Sequence, residues 1–157
     1  MAGRAARSGK RSGSQPEATT FLLDECLSCT VVRTALEDSG MLISSVEREF
    51  GGGVKDLDWM PQAGAEGHAV ITRDNRIRRD NAERSAYINA KLRGFFLAAR
   101  GNLRGSEMAE ILAGNAKKML RAVVTYRAPF IALVKRGAFE VTDAPDCPQR
   151  RIPQKHR

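Results

Sequence analysis

DLDWMPQAGAEGHAVITRD, residues 56–74, contains the unit from which the rest of the chain is built. Asp56 can cap a helix that ends near Gly67. The run Ala69-Val70-Ile71-Thr72 then passes without a break into Arg73-Asp74. Pro61 is awkward inside such a helix, because it has no N–H to donate and its ring crowds the preceding turn. A short apolar run with no polar alternation is the signature of a strand buried on both faces, as in a parallel sheet covered by helices on each side. An acid directly after it lies at the C-terminal edge of that sheet, where open α/β sheets carry their crevice.

Working outward, the same unit recurs. Phe21-Leu22-Leu23 is a strand running into Asp24-Glu25. Ser28 caps a helix through Leu36, with Val32, Ala35 and Leu36 on one face and Gly40 closing it. Met41-Leu42-Ile43 and Val46 form a second strand, and Gly51-Gly52-Gly53 a loop. Beyond residue 74 the pattern predicts a helix over Ala82–Leu92, a strand at Phe95–Ala98 and a long helical stretch from Ser106. Met108, Ile111, Leu112, Met119 and Leu120 supply that last apolar face. Phe130–Val134 is a fifth strand, and Lys135-Arg136-Gly137 turns it into a hairpin partner at Ala138–Val141. Strand–helix alternation predicts a three-layer α/β/α sandwich with a central, mostly parallel five-stranded sheet and an extra C-terminal hairpin strand.

Composition bounds this reading. The chain has 157 residues, 42% of them hydrophobic, which is enough for one domain with a true core, expected over residues 20–142. Residues 1–19 and 143–157 read as basic disordered tails. They carry eight of the basic residues against three acids, so most of the net charge of +8 belongs to the ends rather than to the domain. No apolar run reaches the roughly 20 residues of a membrane span. Three cysteines and no secretory leader predict a cytoplasmic location with no membrane partner.

The chemistry-bearing residues are acids at strand ends and helix starts: Asp24, Glu25, Asp56, Asp58 and Asp74. Carboxylates that converge repel one another, and a divalent cation resolves that cost; hard oxygen donors favour Mg²⁺ or Mn²⁺. Acids also cap helices and face solvent, which explains Asp56 and Asp58 without a metal. The stretch Arg73-Asp74-Asn75-Arg76-Ile77-Arg78-Arg79 sets cationic forks beside the acids, suited to a phosphate backbone or to a solvated loop. Cys26 and Cys29 form a CxxC without a second pair, and Cys147, His68 and His156 are scattered. Gly51–Gly53 lacks the Lys-Ser/Thr of a phosphate loop.

The order Asp56, Ala63, Gly67, Thr72-Arg73-Asp74, together with Leu23-Asp24-Glu25, resembles the PIN-like domain family, closest to ribonuclease toxins of VapC type. The resemblance spans about residues 21–141. It implies a Mg²⁺- or Mn²⁺-dependent endoribonuclease with Asp24, Asp56 and Asp74 as catalytic, metal-binding acids. Thr72, Arg73, Arg76 and Arg78 would then lie on the RNA substrate. It further implies a cognate antitoxin partner and a homodimer. Such domains carry another acid, usually Glu, on an intervening helix; Glu25, Glu47 and Asp58 are the residues that could supply it. Two other classes fit the strand-end acids: a PIN-like module that binds RNA or protein without cutting, and a receiver-like phosphoacceptor using Asp24-Glu25, Asp74 and Lys135.

Overall fold

The computed structural model describes residues 18–73 and 80–144. The two predicted tails lie almost wholly outside that range, and Asp74, Arg76 and Arg78 lie outside it as well. Six strands form one sheet: β1 (Thr20–Leu23), β2 (Leu42–Ser45), β3 (Ala69–Thr72), β4 (Arg93–Leu97), β5 (Phe130–Lys135) and β6 (Ala138–Asp143). Their order is β2-β1-β3-β4-β5-β6, with the first five parallel and β6 antiparallel to β5. The α/β sandwich expected from the sequence is therefore present, and its hairpin strand extends to Asp143 rather than ending at Val141.

Six helices flank the sheet: α1 (Thr30–Asp38), α2 (Val46–Phe50), α3 (Asp56–Ala65), α4 (Asn81–Asn89), α5 (Gly105–Gly114) and α6 (Ala116–Thr125). Alternation along the strands divides the core in two. Phe21, Leu23, Ile71, Phe95, Leu97, Phe130 and Val134 meet α1, α5 and α6 on the first face. Leu22, Val70, Phe96, Ile131 and Leu133 meet Trp59, Met60 and Ala63 of α3 and Tyr87 of α4 on the second. Both sets are almost fully buried, so every central strand is apolar on both sides.

The helices that feed β2, β3 and β4 end the same way. Met41 N–H donates to Leu36 O and Gly40 N–H to Glu37 O; His68 to Ala63 O and Gly67 to Gly64 O; Leu92 to Tyr87 O and Lys91 to Ile88 O. Each pair of bonds satisfies carbonyls orphaned at the helix end, and each needs one residue in the left-handed region. Gly40 (φ 90°) and Gly67 (φ 77°) adopt it freely, while Lys91 (φ 58°) does so against its side chain.

Several local expectations are corrected. Ser28 does not cap α1; Cys29 holds that position, while Ser28 follows a 3-10 turn over Glu25–Leu27. Val46 is not in β2 but opens α2, because Ser45 Oγ accepts from Arg48 N–H and starts a helix there. Asp56 is the first helical residue of α3, with Lys55 as its cap. The long C-terminal helix is two helices broken at Asn115, whose buried amide donates to Ile111 O and to Lys135 O.

Connections β3–α4–β4 and β4–α5–α6–β5 step the same way along the sheet but pack on opposite faces, so they have opposite hands. Parallel crossovers are overwhelmingly right-handed, which makes this pairing uncommon. Its consequence is local: the start of α5 comes against the start of α1. A Cβ on Gly105 would lie 2.9 Å from a Val31 methyl and 3.4 Å from Cys29 Sγ.

Candidate active site

The C-terminal edge of the sheet begins with Asp24. Leu23 ends β1, and Asp24 N–H still donates to Ile71 O of β3 at 3.0 Å. Its carboxylate is used at both oxygens. Oδ1 accepts from Glu25 N–H at 2.8 Å and so caps the 3-10 turn, while Oδ2 accepts from Thr72 Oγ1 at 2.8 Å across the β1–β3 boundary. Thr72 is fully buried, and Asp24 only partly. An acid whose backbone and side chain are both tied to the neighbouring strand is preorganised, and each oxygen keeps a lone pair for a further partner.

Cys26 lies beside this pair. Burial pushes its thiol pKa up and the Asp24 charge adds to that, against hydrogen bonds from the Arg73 backbone and the Thr72 hydroxyl. A raised thiol pKa keeps sulfur protonated at neutral pH, which suits neither a nucleophile nor a metal ligand.

Asp56 reaches the same edge by another route. α3 joins the end of β2 to the start of β3, so it runs back down the second face with its first turn toward the strand C-termini. Trp59, Met60 and Ala63 anchor it in the core, and Trp59 Nε1 donates to Asp56 Oδ1 at 3.0 Å. Asp56, Asp58 and Glu25 are exposed. Gly64 permits the tight seat of α3 against the end of α4, since a Cβ there would fall 1.7 Å from Ala90 O.

Of the predicted site residues, the structure thus brings Asp24 and Thr72 into contact and fixes Asp56 at the head of α3. Arg73 follows Thr72 and donates from Nη2 to Gly101 O in the β4–α5 connection, which leaves the rest of its fork available. Among the described residues, no three Asp, Glu, His or Cys side chains gather as a metal-holding group. The predicted third acid, Asp74, lies outside those residues.

Sequence reading missed four arginines on this edge. Arg33 and Arg48 flank the ends of β1 and β2, and Arg100 and Arg104 stand exposed in the connection after β4. Each is a single basic residue in its own segment, so no charge run marks it. The available signal was positional: these segments either follow a strand end or begin the next helix.

No described helix is long and apolar enough to cross a membrane. The strand order itself is shared by several doubly wound folds, including receiver-like ones, so topology alone does not separate the readings. Comparison with protein families does: the profile of the PIN-like domain matches residues 19–99, from the approach to β1 to the residues just after β4. No curated protein and no solved structure matches the chain. With just over half of its length matched, the chain belongs to the PIN-like domain family, whose members are typically nucleases.

Proposed function

We propose that the chain is a divalent-metal-dependent endoribonuclease, acting as the toxin of a toxin–antitoxin pair, with Asp24, Asp56 and Asp74 as the acids that hold Mg²⁺ or Mn²⁺. The observation that carries this reading is the Thr72–Asp24 hydrogen bond of 2.8 Å. It fixes a carboxylate on the strand end from which the chain runs through Arg73 to Asp74. The donors fit a hard cation. Asp24 retains lone pairs on both oxygens, and Asp56 accepts one bond, from Trp59, on Oδ1. Glu25 and Asp58 stand next to these acids in sequence and are the reserve ligands.

Bound by these acids, the cation supplies acidity to a water and charge neutralisation to a phosphodiester. Thr72 keeps the Asp24 carboxylate aimed. Trp59 does the same for Asp56. Arg73, steadied by the Gly101 carbonyl, together with Arg76 and Arg78, holds the RNA backbone through forked contacts to phosphate oxygens. The cognate antitoxin would be a protein that covers this edge, and a homodimer fits the same family.

Cleavage of a labelled single-stranded RNA tests the proposal. Activity should require Mg²⁺ or Mn²⁺, vanish in EDTA, and fall at least a hundredfold in Asp24→Asn and Asp74→Asn, the scale expected when an electrostatic catalytic group is removed. Undiminished cleavage in both variants refutes the assignment. Growth arrest on expression, relieved by Asp24→Asn, tests the toxin role.

A further inference from the structure

Between the ends of β1 and β2 lies a cleft of about 250 Å³ lined by Leu23, Ser28, Cys29, Arg33, Ser44, Ser45 and Arg48. At about 30 Å³ per water it has room for a phosphate group and its first hydration shell. Its chemistry is one-sided. Two guanidinium groups and three hydroxyls line it, and no carboxylate does. A cation would find no charge partner there, and an apolar ligand would strand the polar lining.

The donors are available. Arg48 has no carboxylate within ion-pair distance among the described residues, and Arg33 has only a stretched 3.9 Å contact from Nε to Glu37, both side chains being about half exposed. Ser45 Oγ accepts from Arg48 N–H at 3.0 Å and keeps its own proton to give. Ser44 is the exception, since its hydroxyl donates to Glu49 Oε1 at 2.7 Å. Ser28 follows the turn that Asp24 caps, and Leu23 immediately precedes Asp24. The cleft therefore adjoins the candidate catalytic acid along the chain on both sides.

We infer that this cleft is a phosphate subsite, in which Arg33, Arg48, Ser28 and Ser45 hold a backbone phosphate of a single-stranded RNA lying across the strand ends. The identity of the polymer rests on the nuclease reading; the anion chemistry does not. Guanidinium forks match phosphate oxygens in two-point contacts, and hydroxyl donors complete the oxyanion's shell.

The test has two arms, both in EDTA and both with the full chain. In the first, inorganic phosphate is titrated while NMR follows the arginine Nε–Hε signals, which should move for Arg33 and Arg48. In the second, anisotropy measures binding of a labelled ten-nucleotide RNA to the wild type, to Arg33→Gln/Arg48→Gln and to Ser28→Ala. Lys117→Gln/Arg121→Gln on α6 serves as the control with equal charge change. One lost phosphate contact should weaken binding about fivefold at low salt and reduce the log–log salt slope by roughly 0.7. Ser28→Ala should weaken it about twofold without changing the slope, as expected for a neutral donor. Phosphate binding with RNA affinity unchanged in the double variant would overturn the RNA assignment. No response in either arm would overturn the subsite, and an equal loss in the α6 control would reduce it to net charge. Loss of cleavage in Asp24→Asn is read separately, so the nuclease reading can stand or fall by itself.

Discussion

Replacing Thr72 by valine removes one hydroxyl from a fully buried position and leaves the side-chain shape almost unchanged. The lost contact is the 2.8 Å bond to Asp24 Oδ2. A hydrogen bond to a charged acceptor contributes about 1.5–3 kcal/mol. Two effects trim that figure: Asp24 is only partly buried, so water replaces some of the lost donor, and the added methyl packs in a dry site. The net loss should be about 1–1.5 kcal/mol, or a fall of roughly 4–6 °C in Tm for a domain of this size. Urea unfolding followed by the fluorescence of Trp59, the chain's single tryptophan, measures it. A double-mutant cycle with Asp24→Asn isolates the pair, and a coupling of about 1 kcal/mol is expected. Cleavage should fall on the order of ten- to a hundredfold in Thr72→Val, because a carboxylate without its tether is misplaced. Thr72→Ser keeps the hydroxyl and should recover most of the rate. A coupling within about 0.3 kcal/mol of zero, or full cleavage by Thr72→Val, would show that the bond positions nothing.

Gly64→Ala forces a Cβ to within 1.7 Å of Ala90 O, backbone against backbone, so α3 or α4 must shift. A loss of about 3 kcal/mol or more is expected in thermal melts, whereas Gly105→Ala, facing a pliable Val31 methyl, should lose only about 1. Lys91→Gly relieves a left-handed residue at the end of α4 and should raise stability by about 0.5–1 kcal/mol in urea titrations. Burial raises the Cys26 pKa, so folding favours the neutral thiol; that stability is complete below the unfolded pKa of about 8.5 and is lost as pH rises through the folded value. Cys26→Ser should flatten the alkaline limb of the stability profile, and native Cys26 should alkylate more slowly at pH 8 than in the urea-unfolded chain. Mn²⁺ should quench Trp59 emission through the adjoining Asp56, and Asp56→Asn should abolish the quenching.

The legible parts of the fold were those where one segment carries its own explanation. β1, β3 and β5 are apolar runs buried on both faces, and periodicity finds such runs directly. Gly40 and Gly67 marked helix ends because only glycine adopts their conformation without strain; Lys91 does the same work and gives no sign of it. Val46 was assigned to a strand because it continues an apolar pattern, and the Ser45 cap that starts α2 weighs less in sequence than in structure. The apolar period runs unbroken past Asn115, so the division into α5 and α6 follows from a buried amide meeting Lys135, twenty residues away. The site behaved likewise. Asp24 was visible as a strand-end acid, but its partner Thr72 lies 48 residues on and is joined to it only by the β1–β3 register.

That register also explains how charge is distributed around the edge. Thr72 shares its side of β3 with Val70, which belongs to the second face, and α3 with Asp56 at its head covers that same face. Asp24, bonded to Thr72, is held toward it. Arg33 on α1 and Arg104 at the start of α5 belong to helices of the first face, brought together by the connection of opposite hand after β4. The acids and these two arginines therefore approach the strand ends from opposite layers. A polyanion crossing the edge would meet guanidinium groups on one side and carboxylates on the other, and the carboxylates would repel it unless a cation stood between them. Binding and cleavage should accordingly separate. Without metal, Asp24→Asn should bind RNA at least as tightly as the wild type. With metal, the order should reverse. Tighter binding by the wild type in EDTA would mean that the carboxylates do not face the strand at all.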